Sequence, residues 1–347
     1  MIDIPPTSRL RLDSQALVAN WQQLNEMSGR ATTGAAIKAN AYGLGAVEVF
    51  QRLQAAGCND FYVANWQEAQ ELNAYIKPGM RLSVFSGVRS EDMAFAITSP
   101  AKPVLNSLDQ VQRWQSTGRP CDIMLNSGMN RLGINATDLG QVDWTMMDID
   151  IVMSHLASAD EDGPQNRDQL EEFTAAQKQI SGRRNSLCNS AGIALGSAYH
   201  FDCTRPGLSL YGGRLRPELS GAIKQVVFPE AQILQVRTLK PGDKLGYNAK
   251  YIAAREHPVA TLAMGYADGY LRGFSNQGLF YSGQDKLPVL GRVSMDLIAV
   301  DLSAAPHLKE SDWVTAQYDL PHASVQSGLS QYELITGLGN RLARYWM

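Results

Sequence analysis

The stretch TGAAIKANAYGLGAVEVFQRLQAAG, residues 33–57, contains the pattern on which the fold prediction depends. Its first part, TGAAIKA, is a short run of small and apolar residues that is typical of a buried strand. The glycines of YGLG then mark a turn, and AVEVFQRLQAAG repeats its apolar residues at helical spacing. A strand followed at once by an amphipathic helix is the repeating unit of a parallel sheet.

Seven further strand-like runs follow this unit before residue 208, with longer polar and apolar stretches between them. One of those stretches, NRDQLEEFTAAQKQIS at residues 166–181, is typical of an amphipathic helix. Eight parallel strands that alternate with helices predict an α/β fold, the (β/α)8 TIM barrel. The predicted strands are TGAAIKA from Thr33, DFYVAN from Asp60, RLSVFS from Arg81, KPVLN from Lys102, CDIMLN from Cys121, DIVMSH from Asp150, NSLCNS from Asn185 and HFDCTR from His200.

The chain of 347 residues is too long for one ordinary core, which predicts two domains. After about residue 225 the sequence changes to strand-like runs separated by Gly, Pro and Asp turns, which is typical of a mainly β domain. We predict a barrel domain over residues 1–225 and a mainly β domain over residues 226–347. The segment SRLRLD, residues 8–13, precedes the barrel and could pair with either domain.

Composition argues against several kinds of partner. A net charge of −3 provides no basic field for nucleic acid. The N-terminus has no apolar signal core, and no stretch approaches the roughly 18 apolar residues of a membrane span, so we expect a cytoplasmic protein. The four cysteines have no CxxC spacing and the five histidines no HxH spacing. We therefore expect reduced, buried thiols and no metal site.

Reactive or polar side chains follow five of the eight predicted strands. In a TIM barrel the chemistry collects at the C-terminal ends of the strands, so these side chains predict one shared cavity. They are Lys38 after the first strand, Arg131 after the fifth, His155 after the sixth, Asn189 and Ser190 after the seventh, and Arg205 after the eighth.

Lys38 is the first candidate for covalent chemistry. Small residues flank it on both sides, and burial there would lower its pKa, because desolvation disfavours a charged amine. A free amine can form a Schiff base with a carbonyl compound. Taken alone, however, the segment favours an ordinary surface lysine whose stem lies along apolar surface. Arg205 alone fits a surface ion pair equally well.

Short motifs along the chain resemble those of alanine racemases, in the same order. That family carries the run K-A-N-A-Y-G-[HL]-G, and this chain reads KANAYGLG from Lys38. The resemblance covers both predicted domains and identifies the chain as similar to fold-type III enzymes that depend on pyridoxal 5'-phosphate (PLP). The further motifs are SGMNRLG from Ser127, SHLASADE from Ser154, NSA from Asn189, RPGLSLYG from Arg205, GYADGYLR from Gly265 and GRVSMD from Gly291.

The resemblance implies a two-base interconversion of L-alanine and D-alanine. Lys38 would carry PLP and exchange protons on one face of the substrate Cα, and Tyr266 would act on the opposite face. His155 and Arg205 resemble the hydrogen-bonded chain that makes this tyrosine a competent base. A cationic Arg205 beside the pyridine nitrogen would also disfavour protonation of that nitrogen. In the family the tyrosine reaches the barrel of the other subunit, which implies a homodimer with shared sites.

Other positions match residues that hold cofactor and substrate in the family. Arg131 resembles the arginine that contacts the PLP phenolic oxygen and the substrate carboxylate. The backbone N–H of Met295 would also bind that carboxylate. Tyr247 and Asp296 match the access corridor, although Asp296 fits a turn or cap equally well. For Ser190 the alternative is the N-cap of a helix that we predict in AGIALGSA, residues 191–198. The positions implied to hold the cofactor are Lys38, Tyr42, Arg131, His155, Asn189, Ser190, Arg205, Gly207 and Leu208.

The chain departs from the family pattern at two places. Many relatives have a carbamylated lysine seven residues before the arginine, with an aspartate between, and this chain has Met124 and Asn126 there. Another group must therefore hold Arg131, and the strictness of the preference for alanine stays open. Asn340 stands where many relatives have a tyrosine before an R-V-P-R-like run.

Three other kinds of protein share parts of this pattern. A racemase of broader or different amino-acid specificity fits the same motifs. A PLP-dependent amino-acid decarboxylase would carry an acid at the pyridine nitrogen and a cysteine near GRVSMD, where this chain has Arg205 and Ser294. A non-catalytic PLP-holding protein would end after the barrel. The family further implies a role either in supplying D-alanine for peptidoglycan or in degrading D-alanine.

Overall fold

In a computed structural model that describes residues 4–347, a parallel strand forms within or beside each predicted barrel run. The first strand is divided at Gly34, where an added Cβ would lie 2.7 Å from the Asp60 carbonyl oxygen, so only glycine fits. The strands are Thr32–Thr33 with Ala35–Ala36, Asp60–Val63, Arg81–Val84, Lys102–Leu105, Cys121–Asn126, Ile149–Met153, Arg184–Ser186 and Cys203–Thr204.

Parallel pairing closes these strands into a barrel. Each strand from the first to the sixth pairs with the next one along the chain. The last strand, Cys203–Thr204, pairs with Thr32–Thr33. The Arg205 N–H also donates to the Cys188 carbonyl at 2.9 Å, which joins the eighth strand to the seventh. The predicted TIM barrel is confirmed.

Helices of varied length connect the barrel strands. The predicted helices at 46–57 and 166–181 form over Ala46–Ala55 and Pro164–Ala176. The predicted helix AGIALGSA is wrong in length, because it ends at Ile193 and Gly196 then takes a φ of 108°. The other right-handed helices in and before the barrel are Ser14–Met27, Trp66–Leu72, Met93–Ala96 and Leu108–Gln115.

A buried ionic network occupies the barrel end opposite Lys38. Lys102 donates to Asp122 at 2.6 Å and also to Asp150, while Arg184 joins Asp150 to Asp60 with bonds of 2.9 Å. Burial raises the pKa of Asp122, and the charge of Lys102 opposes that rise. Removing one partner of such a network costs about 3–5 kcal/mol, because it leaves an uncompensated buried charge.

The second unit is an antiparallel sheet that closes on itself through its longest strand. Val227–Leu239 pairs with Trp313–Ala316 along its first half and with His257–Leu262 along its second, with a register shift between Ile233 and Gln235. The predicted mainly β domain is confirmed, and it also contains two helices. Its other strands and helices are Ser8–Leu12, Lys244–Leu245, Tyr251–Ile252, Leu279–Ser282, Asp285–Leu290, Ile298–Asp301, Ala343–Trp346, Leu320–Ser327 and Gln331–Thr336.

The two compact units divide the chain differently from the predicted boundary. One consists of Leu17–Lys224, and the other of the described residues up to Ala16 together with Gln225–Met347. Ser8–Leu12, whose partner the sequence left open, pairs antiparallel with Val227–Leu239 and parallel with Ala343–Trp346.

Two further expectations concern composition. All four cysteines are free and buried, as predicted. Within residues 4–347 no helix has both the length and the apolar character that crossing a membrane requires.

Candidate active site

A cavity of about 280 Å³ lies at the C-terminal end of the barrel and brings three predicted side chains together. Lys38, Arg131 and His155 all line it, although Lys38 precedes the other two by more than 90 positions in the sequence. Apolar residues form much of the remaining wall, among them Phe85, Met124, Leu125, Met129 and Leu132. A mostly apolar cavity with a few convergent polar groups is typical of a ligand site.

The Lys38 amine has no hydrogen bond or ion pair with any residue in the described part of the chain. Burial, followed by the positive charge of Arg131, lowers its pKa, while Glu68 acts in the opposite direction. A lowered pKa increases the unprotonated fraction of the amine near neutral pH. The arrangement therefore favours a nucleophilic lysine rather than a solvated one.

Arg205 is only 4% exposed and contacts Ser154, which lines the cavity. Its guanidinium donates to the Ser154 and Leu187 carbonyls and to the Ser186 hydroxyl. Its Nε has no partner among residues 4–347, so one buried donor is unused. Burial, then the positive charges of Arg205 and Arg131, lower the pKa of His155 to about 3. His155 is therefore neutral at neutral pH.

Several of the positions implied to hold the cofactor meet at the ends of the last two strands. The Ser190 hydroxyl accepts from the N–H groups of Gly207 at 2.9 Å and Ser209 at 3.2 Å. The helix N-cap is Asn189 rather than Ser190, since the Asn189 side chain accepts from the Gly192 N–H at 2.9 Å. Leu208 starts the short 3-10 segment Leu208–Tyr211.

Tyr42 belongs to this group through its hydroxyl. A Cβ on Gly207 would meet the hydroxyl and would lie 3.1 Å from Tyr42 Cζ, so glycine is required for this approach. The Tyr42 ring packs against Tyr211 with 4.8 Å between centroids, and the Tyr211 hydroxyl donates to the Ala36 carbonyl at 2.9 Å. Tyr42, Ser190 and Gly207 thus form a cradle in which hydroxyl groups lie beside a glycine edge, which suits a phosphate.

Arg131 stands on a loop that amide groups hold in place. Asn126 donates to the side-chain oxygens of Asn130 and Asn135 at 2.9 Å each, and accepts from the Asn130 N–H at 3.0 Å. Met124 is buried in the same core cluster as Tyr62 and carries no charge that could pair with Arg131. The Arg131 guanidinium has no hydrogen bond or ion pair with the residues that the structure describes. Asn126 thus fixes the loop backbone but leaves the guanidinium available to a ligand.

Tyr266 opens a 3-10 turn, Tyr266–Asp268, in the second unit. Its N–H donates to the Ser294 carbonyl at 3.0 Å, and the Ala267 N–H donates to the Met295 carbonyl at 3.0 Å. The Arg272 guanidinium lies 5.0 Å from the centre of the Tyr266 ring. The turn therefore joins the predicted base to the predicted substrate-binding segment.

Arg341 connects the same two segments through ion pairs. It donates to the buried Asp268 at 2.9 Å and to Asp296 at 2.8 Å. Asp268 in turn accepts from the Gly265 N–H at 2.9 Å, and Met295 is 53% exposed. Asp296 thus has an ion-pair partner. This contact does not distinguish a role in the access corridor from a turn or cap role for Asp296.

No hydrogen bond joins Tyr247 to Asp296 within residues 4–347. Its side chain is 68% exposed on the turn Tyr247–Ala249. The sequence interpretation also missed four residues around Lys38 and Tyr266, two of them, Glu68 and Arg341, because their partners are far away in the chain. Asp268 and Arg272 had a signal, since both lie inside the motif GYADGYLR. The missed residues are Glu68, Asp268, Arg272 and Arg341.

The side chains present fit PLP. The Lys38 amine is available to an aldehyde, and the unpaired Nε of Arg205 is a donor for a ring nitrogen. The Ser190 hydroxyl and the Cβ-free edge of Gly207 beside the Tyr42 hydroxyl suit the phosphate. No cluster of His, Cys, Asp and Glu in the described residues could hold a metal ion.

A closed parallel barrel with a reactive lysine at its mouth, joined in one chain to a β unit, defines the class of barrel-type PLP enzymes. The model of the alanine racemase N-terminal domain matches residues 12–215, and that of the C-terminal domain matches residues 226–346. The chain therefore belongs to the alanine racemase family.

Individual relatives agree with this assignment. An alanine racemase of Cereibacter sphaeroides is 38% identical over 97% of this chain and 97% of its own length. One of Dinoroseobacter shibae is 39% identical over 98% of each. The crystal structure of alanine racemase from Bartonella henselae with covalently bound pyridoxal phosphate has 32% identity and a TM-score of 0.91. The match covers 99% of this chain and 100% of the Bartonella henselae chain.

Proposed function

We propose that this protein is an alanine racemase that uses PLP to interconvert L-alanine and D-alanine. The observation that carries the proposal is the Lys38 amine, which lines a cavity with Arg131 and His155 and has a pKa lowered by burial. Bound PLP supplies an electron sink that acidifies the substrate Cα. The family membership and the cradle around Ser190 support the same cofactor.

Two acid-base groups are needed, because inversion requires a proton to leave one face of Cα and another to arrive on the opposite face. Lys38 serves one face and Tyr266 the other. The group that takes the proton and the group that delivers one exchange roles in the reverse direction, so the proton count balances. The neutral His155 and the cationic Arg205 support Tyr266 as a hydrogen-bonded chain.

The substrate carboxylate binds to Arg131 and to the backbone N–H of Met295. The guanidinium of Arg131 has no competing ion pair in the described chain, and Met295 is 53% exposed. The Tyr266–Asp268 turn is hydrogen-bonded to the segment that carries Met295. One protomer thus supplies Lys38 and Arg131, and its partner supplies Tyr266 and Met295, with Tyr247 and Asp296 along the corridor.

The assembly is a cytoplasmic homodimer in this proposal, and its product is D-alanine for peptidoglycan. An amino-acid decarboxylase is not favoured, because the buried cation Arg205 stands where such an enzyme needs an acid, and Ser294 stands where it needs a thiol.

The test is to incubate purified protein with PLP and L-alanine in deuterated water. We expect D-alanine to appear with deuterium at Cα. Lys38→Ala should lose the visible absorbance of lysine-bound PLP, whereas Tyr266→Phe should keep that absorbance and lose exchange that starts from L-alanine. Full turnover by Tyr266→Phe would remove this residue from its assigned role.

A further inference from the structure

The backbone after Lys38 takes an unusual course. Four consecutive residues, 39–42, have φ angles of 53°, 53°, 52° and 56°, which are left-handed values. For L-residues this conformation costs roughly 1–2 kcal/mol each and normally occurs singly. The surroundings must therefore hold this turn, and the direction in which Lys38 leaves the first strand depends on what holds it.

Glu68 provides the contact at the start of the turn. One of its carboxylate oxygens accepts from the Ala39 N–H at 2.8 Å, and the other accepts from the Ala64 N–H at 2.7 Å. Ala39 directly follows Lys38, and Ala64 follows the second barrel strand. The carboxylate thus ties the ends of two neighbouring strands together at the cavity.

The contact differs from ordinary helix capping. Glu68 is the third residue of the helix Trp66–Leu72, whose N-cap is Asn65. In a capping box the glutamate would accept from the N–H of its own N-cap residue. Glu68 instead accepts from the N–H of Ala64, the residue before the cap, and from the N–H of Ala39, which follows the first barrel strand. Asn65 still caps the helix by accepting from the Glu68 N–H at 3.0 Å.

Charge adds a second effect. Burial and Arg131 lower the pKa of Lys38, and Glu68 is the carboxylate that opposes them. An amine with a very low pKa would be free at all working pH values but would hold a transferred proton poorly. A nearby carboxylate keeps the amine able both to release and to accept a proton.

We propose that Glu68 is a positioning residue for Lys38, which fixes the lysine through the Ala39 N–H and sets its charge through the carboxylate. This inference rests on the proposed function, because it assumes that Lys38 binds PLP. It adds a residue outside the set that the sequence motifs named.

The test separates charge from geometry with two variants of the full-length protein. Glu68→Gln removes the charge and one of the two acceptors, while Glu68→Asp keeps the charge on a shorter side chain. After removal of PLP, the rate of PLP capture is measured against pH by visible absorbance. For Glu68→Gln we expect the inflection of this rate to move to lower pH, since the free amine forms more readily. We also expect PLP retention to fall about 10-fold or more, as for the loss of a charged hydrogen bond.

For Glu68→Asp we expect weaker retention with an inflection near that of the unchanged protein. Glu333→Gln is the matched control, because Glu333 accepts from a backbone N–H at 3.0 Å in a capping box with Ser330 on another helix. The inference is overturned if Glu68→Gln keeps both the inflection and the retention, or if Glu333→Gln reproduces its changes. Failure of the proposed function looks different, because the unchanged protein would then show no lysine-bound PLP at all.

Discussion

Replacing Gly265 by alanine tests whether the turn that bears Tyr266 is a rigid frame. A Cβ at this position would lie 2.5 Å from the Ser294 carbonyl oxygen and nearer still to that of Met295. Ordinary contact begins at 3.4 Å, so the turn and the Ser294–Met295 backbone must separate by about 1 Å. Both obstacles are backbone atoms and cannot rotate away as a side chain could.

The separation affects two backbone hydrogen bonds and the placement of the phenol. The bonds from Tyr266 to Ser294 and from Ala267 to Met295 would weaken, which costs about 1 kcal/mol each in the free energy of unfolding. A displacement of 1 Å at a reacting group can reduce the rate about 100-fold. We expect kcat for racemisation to fall by about that factor, while the absorbance of lysine-bound PLP stays unchanged because Lys38 belongs to the other unit.

The assay follows alanine optical rotation and the visible spectrum in the same sample. Gly140→Ala is the control, because a Cβ there meets no atom within 4 Å and its backbone needs no positive φ. It should keep kcat within about twofold. If Gly265→Ala also racemises at nearly the unchanged rate, the frame does not determine where Tyr266 acts, and the reasoning fails.

Three further changes test other parts of the structure. Lys102→Met should lower the free energy of unfolding in urea by about 3–5 kcal/mol, because it leaves two buried aspartates without their shared cation; a loss below 1 kcal/mol would contradict this. Gly207→Ala should weaken PLP binding about tenfold in a PLP titration, since its Cβ would displace the Tyr42 hydroxyl from the phosphate cradle. The pKa of His155 is depressed to about 3, so the unfolded chain binds more protons below pH 6.5. The unchanged protein should therefore lose up to about 1.4 kcal/mol per pH unit between pH 6 and 4, and His155→Gln should lack that part of the slope.

The barrel was predictable because its signals are local. Each strand is a short apolar run, and a parallel strand buried on both faces needs little else. The strand ends likewise predicted one cavity for Lys38, Arg131 and His155, and all three side chains line the cavity at that end of the barrel. The length predicted for the helix after Ser190 was wrong, because the helix ends at Ile193 and the backbone at Gly196, with a φ of 108°, does not continue it.

Two of the residues that escaped prediction act across long stretches of chain. Arg341 meets Asp268 from 73 positions away, and nothing in RLAR announces that pairing. Glu68 contacts Ala39 across 29 positions and, in sequence, is indistinguishable from a surface helix glutamate. Side chains whose role is to orient a neighbour have no fixed spacing to it, so only the fold reveals them.

The charges at the barrel mouth indicate what kind of ligand the site requires. Burial and then Arg131 lower the pKa of Lys38, and burial followed by Arg205 and Arg131 lowers that of His155, so the arginines disfavour further positive charge at this end of the barrel. Arg205 also leaves a buried Nε donor unused among the described residues. In a fold selected for stability alone such groups would be paired, since an unsatisfied buried donor costs about 1–3 kcal/mol. A phosphate-bearing cofactor and a substrate carboxylate would supply the missing negative charge. The unfavourable electrostatics of the protein alone therefore become favourable interactions with an anionic ligand, which is how a binding site differs from a structural ion pair.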